Sequence, residues 1–220
     1  MRPFSAAEAA TWWASEPTEP SAIVLGSGLW DGRDYDPGLP GLAAMADPVA
    51  EAAKLRTRLE PPPPGVDALE RVARARVTPG WVALGPDGSA RRLAERGSVV
   101  LELRGDLGRS RCLECDETVE ASVSTCPRCQ GRLRPDVVLT TEVVPSRLRM
   151  QAGFLLGQAS RILVIGHRAT DLALGPLLEM AEVSGAEVLQ LGGAQTGVEG
   201  LGRMDGPVFE LLTAIDAALA

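Results

Sequence analysis

At 220 residues, with 45% apolar and 23% charged side chains and a formal net charge of −7, the chain has an ordinary globular composition. That charge argues against a broad nucleic-acid or anionic-membrane surface, and no apolar run is long enough to span a bilayer. The opening residues, MRPFSAAEAATWW, lack the apolar core of a signal peptide. The expectation is a cytoplasmic protein built as one large domain, or as one domain with a small insert.

Ser5 followed by Glu8 reads as a capping box opening a helix to about Ala14, with Ala9, Trp12 and Trp13 on its apolar face. Ser21 to Leu25 reads as a buried strand running into the glycine turn Gly26-Ser27-Gly28. Glycines at a strand end let backbone N–H groups approach a phosphate, although a plain tight turn uses the same residues. The run Leu29 to Pro37 is aromatic and acidic, unlike a phosphate loop. A helical segment with a Pro-rich linker occupies 47–76: Asp47 and Pro48 cap a helix to about Leu59, Pro61–Pro64 break it, and a second helix spans Val66 to Arg76. Arg71, Arg74 and Arg76 form a basic face on that helix, expected in solvent.

Further on, strands are expected at Trp81–Gly85, Val99–Leu103, Val137–Thr141, Ile162–Gly166 and Glu187–Leu191. Helices are expected at Ser89–Arg96, Leu148–Ala159, Leu172–Val183 and Val208–Leu219. Such alternation predicts an α/β fold, a Rossmann-like parallel sheet with helices on both faces. Ligands of such sheets bind at the carboxyl ends of the strands, which gathers Gly26–Gly28, Gly85–Asp87, Arg104, Gly166–Arg168 and Gly192 at one crevice. Arg104 and Arg168 there would bind an anion or pair internally with Asp87, Glu102 or Asp31. Trp12, Trp13 and Trp30 are candidates for an interface, although large aromatics more often pack in a core.

All four cysteines fall in two CxxC pairs, Cys112/Cys115 and Cys126/Cys129, with ten residues between them. Two such turns close a tetrahedral S4 shell of the kind Zn²⁺ accepts; two disulfides or free thiols are the alternatives. Four protein ligands leave no open position, so such a zinc is structural, and binding worth roughly 10–16 kcal/mol would replace the core that so short an insert lacks.

The order of a strand ending near Leu103–Gly105, the CxxC pairs, Gly131-Arg-Leu-Arg-Pro-Asp-Val-Val138 with Glu142 four residues on, and an Ile-Gly strand end resembles the sirtuins, the Sir2-type NAD-dependent protein deacylases. The resemblance runs from about Trp81 to the C-terminus and, more weakly, over Ala22–Pro37. It implies a Rossmann-like core (1–108 and 136–220), a zinc-ribbon module (109–135), NAD, and an acyl-lysine peptide or other protein partner. By resemblance, Gly26, Ser27, Gly28, Asp87, Gly166, His167, Arg168 and Gly192 would face the cofactor.

The departures from the family fall on its chemistry. Its catalytic histidine sits in a pattern like xExHG; here Leu101-Glu-Leu-Arg-Gly105 puts Arg104 at that position, and a guanidinium stays protonated and cannot take up a proton. The nicotinamide-pocket motif keeps Asp87 but loses its Gln and Asn. The cofactor loop is cut down to Leu25-Gly-Ser-Gly28. The family's GTS becomes Gly166-His167-Arg168, the asparagine closing the next strand becomes Gly192, and FGE becomes Thr140-Thr-Glu142. His167 is the only histidine and so the only imidazole base available, with a hydrogen-bonded structural role as its alternative. Three functions follow: a divergent sirtuin lacking deacylase activity that acts as a zinc-stabilised binding or regulatory module; an active NAD-dependent deacylase or ADP-ribosyl-transferring enzyme; or a binder of another nucleotide or small anion. Oligomeric state is not encoded legibly.

Overall fold

A computed structural model describes residues 2–26, 52, 54, 57, 66–77, 79–94, 97–138, 142–168 and 173–220. Ser27, Gly28, the run 29–37, the Pro61–Pro64 linker, most of the helix expected at 47–59, and Thr140–Thr141 lie outside these residues.

Seven strands form one sheet, β1 (Arg2–Pro3), β2 (Ser21–Leu25), β3 (Gly80–Ala83), β4 (Val100–Glu102), β8 (Arg161–His167), β9 (Glu187–Gly193) and β10 (Gly202–Met204). Their spatial order is β1-β10-β9-β8-β2-β3-β4, and every pairing is parallel. β2 and β8 are wholly buried, as expected of continuous apolar strands covered on both faces. Alternate residues feed two separate cores. Ile23, Leu25, Leu163 and Ile165 pack under α1 (Ala6–Ala14), α2 (Val66–Arg74) and α6 (Val208–Leu219). Ala22, Val24, Ile162 and Val164 pack under α4 (Ser146–Gly157) and α5 (Leu174–Val183). A short helix, α3 (Ser89–Leu93), follows β3.

The capping box is formed: the Ser5 hydroxyl accepts from Glu8 N at 3.2 Å and the Glu8 carboxylate accepts from Ser5 N at 2.9 Å. Trp13 and Ala9 are buried on α1, while Trp12 is half-buried and donates to Glu187 Oε2 at 2.7 Å.

Two expectations are corrected. Arg76 lies beyond the end of α2 and is buried, not solvated. Its guanidinium donates to the carbonyls of Trp13, Ser15 and Glu19 and sits over the Trp13 ring, so it staples the α1–β2 connection to the body of the fold. Val137 does not open a strand of the parallel sheet. It closes β7 (Leu133–Val137), one of three strands of a separate antiparallel ribbon with β5 (Gly105–Cys112) and β6 (Thr118–Glu120), in the order β6-β5-β7.

Candidate functional site

The ribbon carries the cysteines at one end. Cys112 and Cys129 Sγ stand 3.4 Å apart, Cys115 and Cys126 Sγ 3.7 Å, and all four sulfurs lie within 4.8 Å of one another. Zn–S bonds of about 2.3 Å in a tetrahedron put sulfurs ~3.8 Å apart, so this donor set fits zinc as it stands. The two knuckles repeat one local structure. Asp116 N donates to Cys112 O and Gln130 N to Cys126 O, and Asp116 (φ 58°) and Gln130 (φ 60°) both take the left-handed conformation that turns the chain past its second cysteine. Gly131 has no room for a side chain, since a Cβ there would stand 3.0 Å from Cys112 Sγ and 3.1 Å from Cys129 Sγ. Burial raises the Cys112 thiol, but N–H donors from Glu114 and Cys115 and the thiols of Cys129 and Cys115 outweigh it, bringing it down to about 7. Its neighbours move the other way, Cys115 upward and Cys129 up to about 12 through the thiols around it, so the cluster gives up one proton readily and holds the next more tightly. Zinc here would supply shape alone, because the four cysteines complete its shell.

The carboxyl edge of the parallel sheet gathers most of the other expected residues. Strand register aligns Leu25 with Ile165 and with Ala83, Ala83 with Glu102, and His167 with Gly193. Gly26, Gly85, Arg104, Gly166 and Gly192 therefore end neighbouring strands along one rim, at spacings of about 4.8 Å per strand. The turn of topology lies between β2 and β8, where doubly wound sheets hold ligands. Gly26 N donates to Ile165 O at 2.8 Å, and a Cβ on Gly26 would collide with the Gly166 carbonyl.

His167 ends β8 and is buried. Its Nδ1 lies 3.1 Å from Ala194 O, and Ala194 N donates to His167 O at 2.7 Å. Gln190, fully buried, donates to Gly192 O and Ala194 O and accepts from Thr196 N, fixing the same loop. The imidazole thus belongs to a backbone network beside the rim. Gln190 was not picked out from sequence; a lone buried amide inside a β strand is the signal that marks it.

Asp87 is buried in the β3–α3 loop, where both carboxylate oxygens accept from Ser89, one from the backbone and one from the hydroxyl. Burial pushes its carboxyl above the ordinary range. Arg104 occupies the turn between β4 and β5, half-buried, and its carbonyl accepts from Val138 N at 3.0 Å. Glu102 is engaged by Arg91 and by Arg109, the latter at 2.9 Å. Around those side chains a cavity of about 260 Å³ opens between β4, the ribbon and the start of α4, lined also by Leu101, Asp136 and Leu148. Glu142, at the family's FGE position, is clamped by Arg134 of β7 at 2.6 and 3.0 Å, tying the ribbon to the segment that leads into α4. Arg168 follows β8 directly and is half-buried.

No family model matches the chain. Among curated proteins it is 30% identical over 136 residues to NAD-dependent protein deacylase 2 of Pyrobaculum aerophilum, covering 59% of this chain and 54% of that protein. It is 32% identical over 129 residues to the NAD-dependent protein deacylase of Aeropyrum pernix, covering 56% and 52%. The matches thus span about half the length of these relatives. Among solved structures, a Sir2 enzyme studied for mechanism and regulation superposes with a TM-score of 0.74 at 22% identity, over 97% of this chain and 96% of that one. Sir2Af2 bound to a myristoylated histone peptide superposes with a TM-score of 0.70 at 20% identity, over 97% and 95%. The chain has the fold of the Sir2 enzymes, and over about half its length it is similar in sequence to NAD-dependent protein deacylases.

The sirtuin fold is present almost end to end, and its four-cysteine module suits structural zinc. Among the described residues, no helix is long and apolar enough to cross a membrane.

Proposed function

We propose that this sirtuin-like protein acts as a zinc-stabilised binding or regulatory module and does not deacylate by the family's route. One observation carries the reading: Arg104 stands in the turn directly after β4, where the family's pattern calls for a histidine. A guanidinium holds its proton throughout the neutral range, so it can bind an anion but cannot act as the base. The only imidazole, His167, sits in a backbone hydrogen-bond network three strands across the sheet from β4. Gly26 and Gly166 end neighbouring strands at the point where the sheet's strand order reverses, the place where doubly wound folds hold a nucleotide, which supports retained binding of NAD or a related nucleotide. On this reading residues 109–135 form the zinc module and 1–108 with 136–220 the core, and the protein works in the cytoplasm. An acylated peptide is the natural partner class, since solved neighbours include a Sir2 protein with a p53 peptide and NAD⁺.

The second reading, an active NAD-dependent deacylase or ADP-ribosyl-transferring enzyme, draws on the deacylase names of the matched relatives. One experiment separates the two. Purified protein is incubated with NAD and acetylated or myristoylated peptides, nicotinamide release is followed, and NAD binding is measured in parallel by calorimetry. The expected result is no release by the wild type. Release that disappears in Arg104→Ala would establish the second reading and end the first.

A further inference from the structure

Strand β4 stands at one end of the parallel sheet, so only one of its edges is paired. Trp81 N donates to Val99 O at 2.8 Å and Leu103 N to Ala83 O at 2.9 Å, which turns the backbone groups of residues 99, 101 and 103 toward β3. Backbone groups alternate between the two edges of a parallel strand. Val100 and Glu102 therefore direct their N–H and C=O groups away from β3, and among the described residues those groups have no hydrogen-bond partner. The cavity of about 260 Å³ lies on that edge, with Val100, Leu101 and Glu102 in its wall and Val138, Pro145 and Leu148 adding apolar surface.

Three guanidinium groups complete the lining, those of Arg91, Arg109 and Arg111. Arg91 and Arg109 both reach the Glu102 carboxylate, Arg109 at 2.9 Å, while Arg109 and Arg111 stand 3.5 and 3.9 Å from Asp136. Three cations thus share two lining carboxylates. Asp106, 3.9 Å from Arg109, does not line the cavity and accepts from Gly108 N at 2.7 Å. Among the described residues Arg111 meets no carboxylate nearer than Asp136, and 3.9 Å is beyond hydrogen-bond reach. Its planar fork is left to take a carboxylate from outside.

We propose that the open edge of β4 and this cavity capture the free C-terminus of an extended peptide, whose backbone pairs with Val100 and Glu102 and whose carboxylate is held by the guanidinium groups, Arg111 foremost. Strand addition supplies main-chain hydrogen bonds, and the arginine fork fixes where the added chain must end. From Val100 to Glu102 the edge rises about 7 Å, so the site takes the last two or three residues. A bare inorganic anion would engage the guanidinium groups and leave both the strand edge and the apolar surface unused. Gly26, Asp87, Arg104 and Gly166 do not line this cavity, so the site stands apart from the nucleotide rim.

Calorimetric titration of the full chain tests it, with an N-acetylated trivaline peptide bearing a free carboxylate, the same peptide as its C-terminal amide, and acetate as probes. The peptide acid is expected to bind, and the amide and acetate each to bind at least about tenfold more weakly. Arg111→Met should weaken the acid about tenfold and leave the amide unchanged. Val100→Pro removes only the outward N–H, a loss that edge strands accept when the donor faces away from the sheet, and should weaken acid and amide alike. Arg147→Met, on the exposed start of α4 outside the cavity, should change nothing. Thermal melts check that each variant folds, and if Val100→Pro does not, Arg111→Met decides alone. No binding of the acid at about 5 mM, equal affinity for acid and amide, equal affinity for acetate and the peptide, or an acid affinity indifferent to Arg111→Met would each overturn the proposal.

Discussion

Gly26 and Gly166 meet backbone to backbone at the carboxyl ends of β2 and β8, so closely that a Cβ on Gly26 would also come 2.6 Å from His167 Cα. The obstruction is main chain in the middle of the sheet, with no flexible side chain to swing aside. Gly26→Ala should therefore cost about 1–3 kcal/mol, as overpacking does, measured by chemical denaturation. The same change pushes the β2 and β8 ends apart where a phosphate would be cradled. If a nucleotide raises the melting temperature of the wild type, that increment should shrink in Gly26→Ala by more than the loss of stability alone explains.

The zinc module gives a prediction of a different kind, because its ligands and its turn geometry can be separated. Wild-type protein should contain one zinc per chain by elemental analysis, and Cys126→Ser should lose it. Gly131→Ala retains all four thiols but forces a methyl against Cys112 and Cys129 Sγ. Residues that support metal ligands typically tune affinity by about 10–100-fold, and a loss in that range is expected in competition with a chromophoric chelator. Full zinc affinity in Gly131→Ala would contradict the packing described here.

Asp87 predicts a pH dependence. Burial raises its folded-state carboxyl above the unfolded value, so the ionised form is disfavoured in the native protein. The stability associated with this group is fully present below the unfolded value, near 3.8, and is lost as pH rises through the higher folded value. Asp87→Asn keeps an acceptor for Ser89 N and removes the charge. It should melt higher than the wild type at pH 7.5, with the gap narrowing toward pH 4.5. A gap that widens on acidification would mean that Ser89 and Arg92 stabilise the ionised form more than burial opposes it.

What could be read from the sequence was whatever depends on neighbours a few residues away. The Ser5–Glu8 box, the β-branched run of β8 and the paired CxxC turns all declare themselves locally, and from them came the sheet, its helices and the four-cysteine cluster. The misses depend on distant partners. β1 and β10 are two and three residues long and exist because Phe4 packs on Gly202 and the two strands pair. Val137 looks like a core strand by composition, but Gly105–Val137 and Asp106–Asp136 pairing commits it to the ribbon. Glu102 is reached by Arg91 from α3 and by Arg109 from β5, two elements that sequence spacing cannot bring together.

Arg76 is the clearest case of that limit and the most direct to test. A sequence places it on a basic helical face, whereas the fold buries it and gives it three backbone carbonyls at 3.1, 2.7 and 2.9 Å. Those carbonyls belong to the end of α1 and the loop into β2; Ser15 O is shared with Arg161 Nη1 at 2.6 Å, so Trp13 O and Glu19 O are the acceptors that rely on Arg76. Hydrogen bonds to a charged donor contribute about 1.5–3 kcal/mol each, and removing the donor leaves buried acceptors unpaired. Arg76→Met keeps the apolar stem over Trp13 and removes only the guanidinium, so it isolates this term. It should cost at least ~3 kcal/mol and lower the melting temperature by roughly 6–12 °C in a chain of this size. Arg74→Met, two residues away but exposed and paired with Glu70 across one helical turn, should shift it by less than about 2 °C. Equal effects at the two positions would return Arg76 to the solvated face that its sequence suggests.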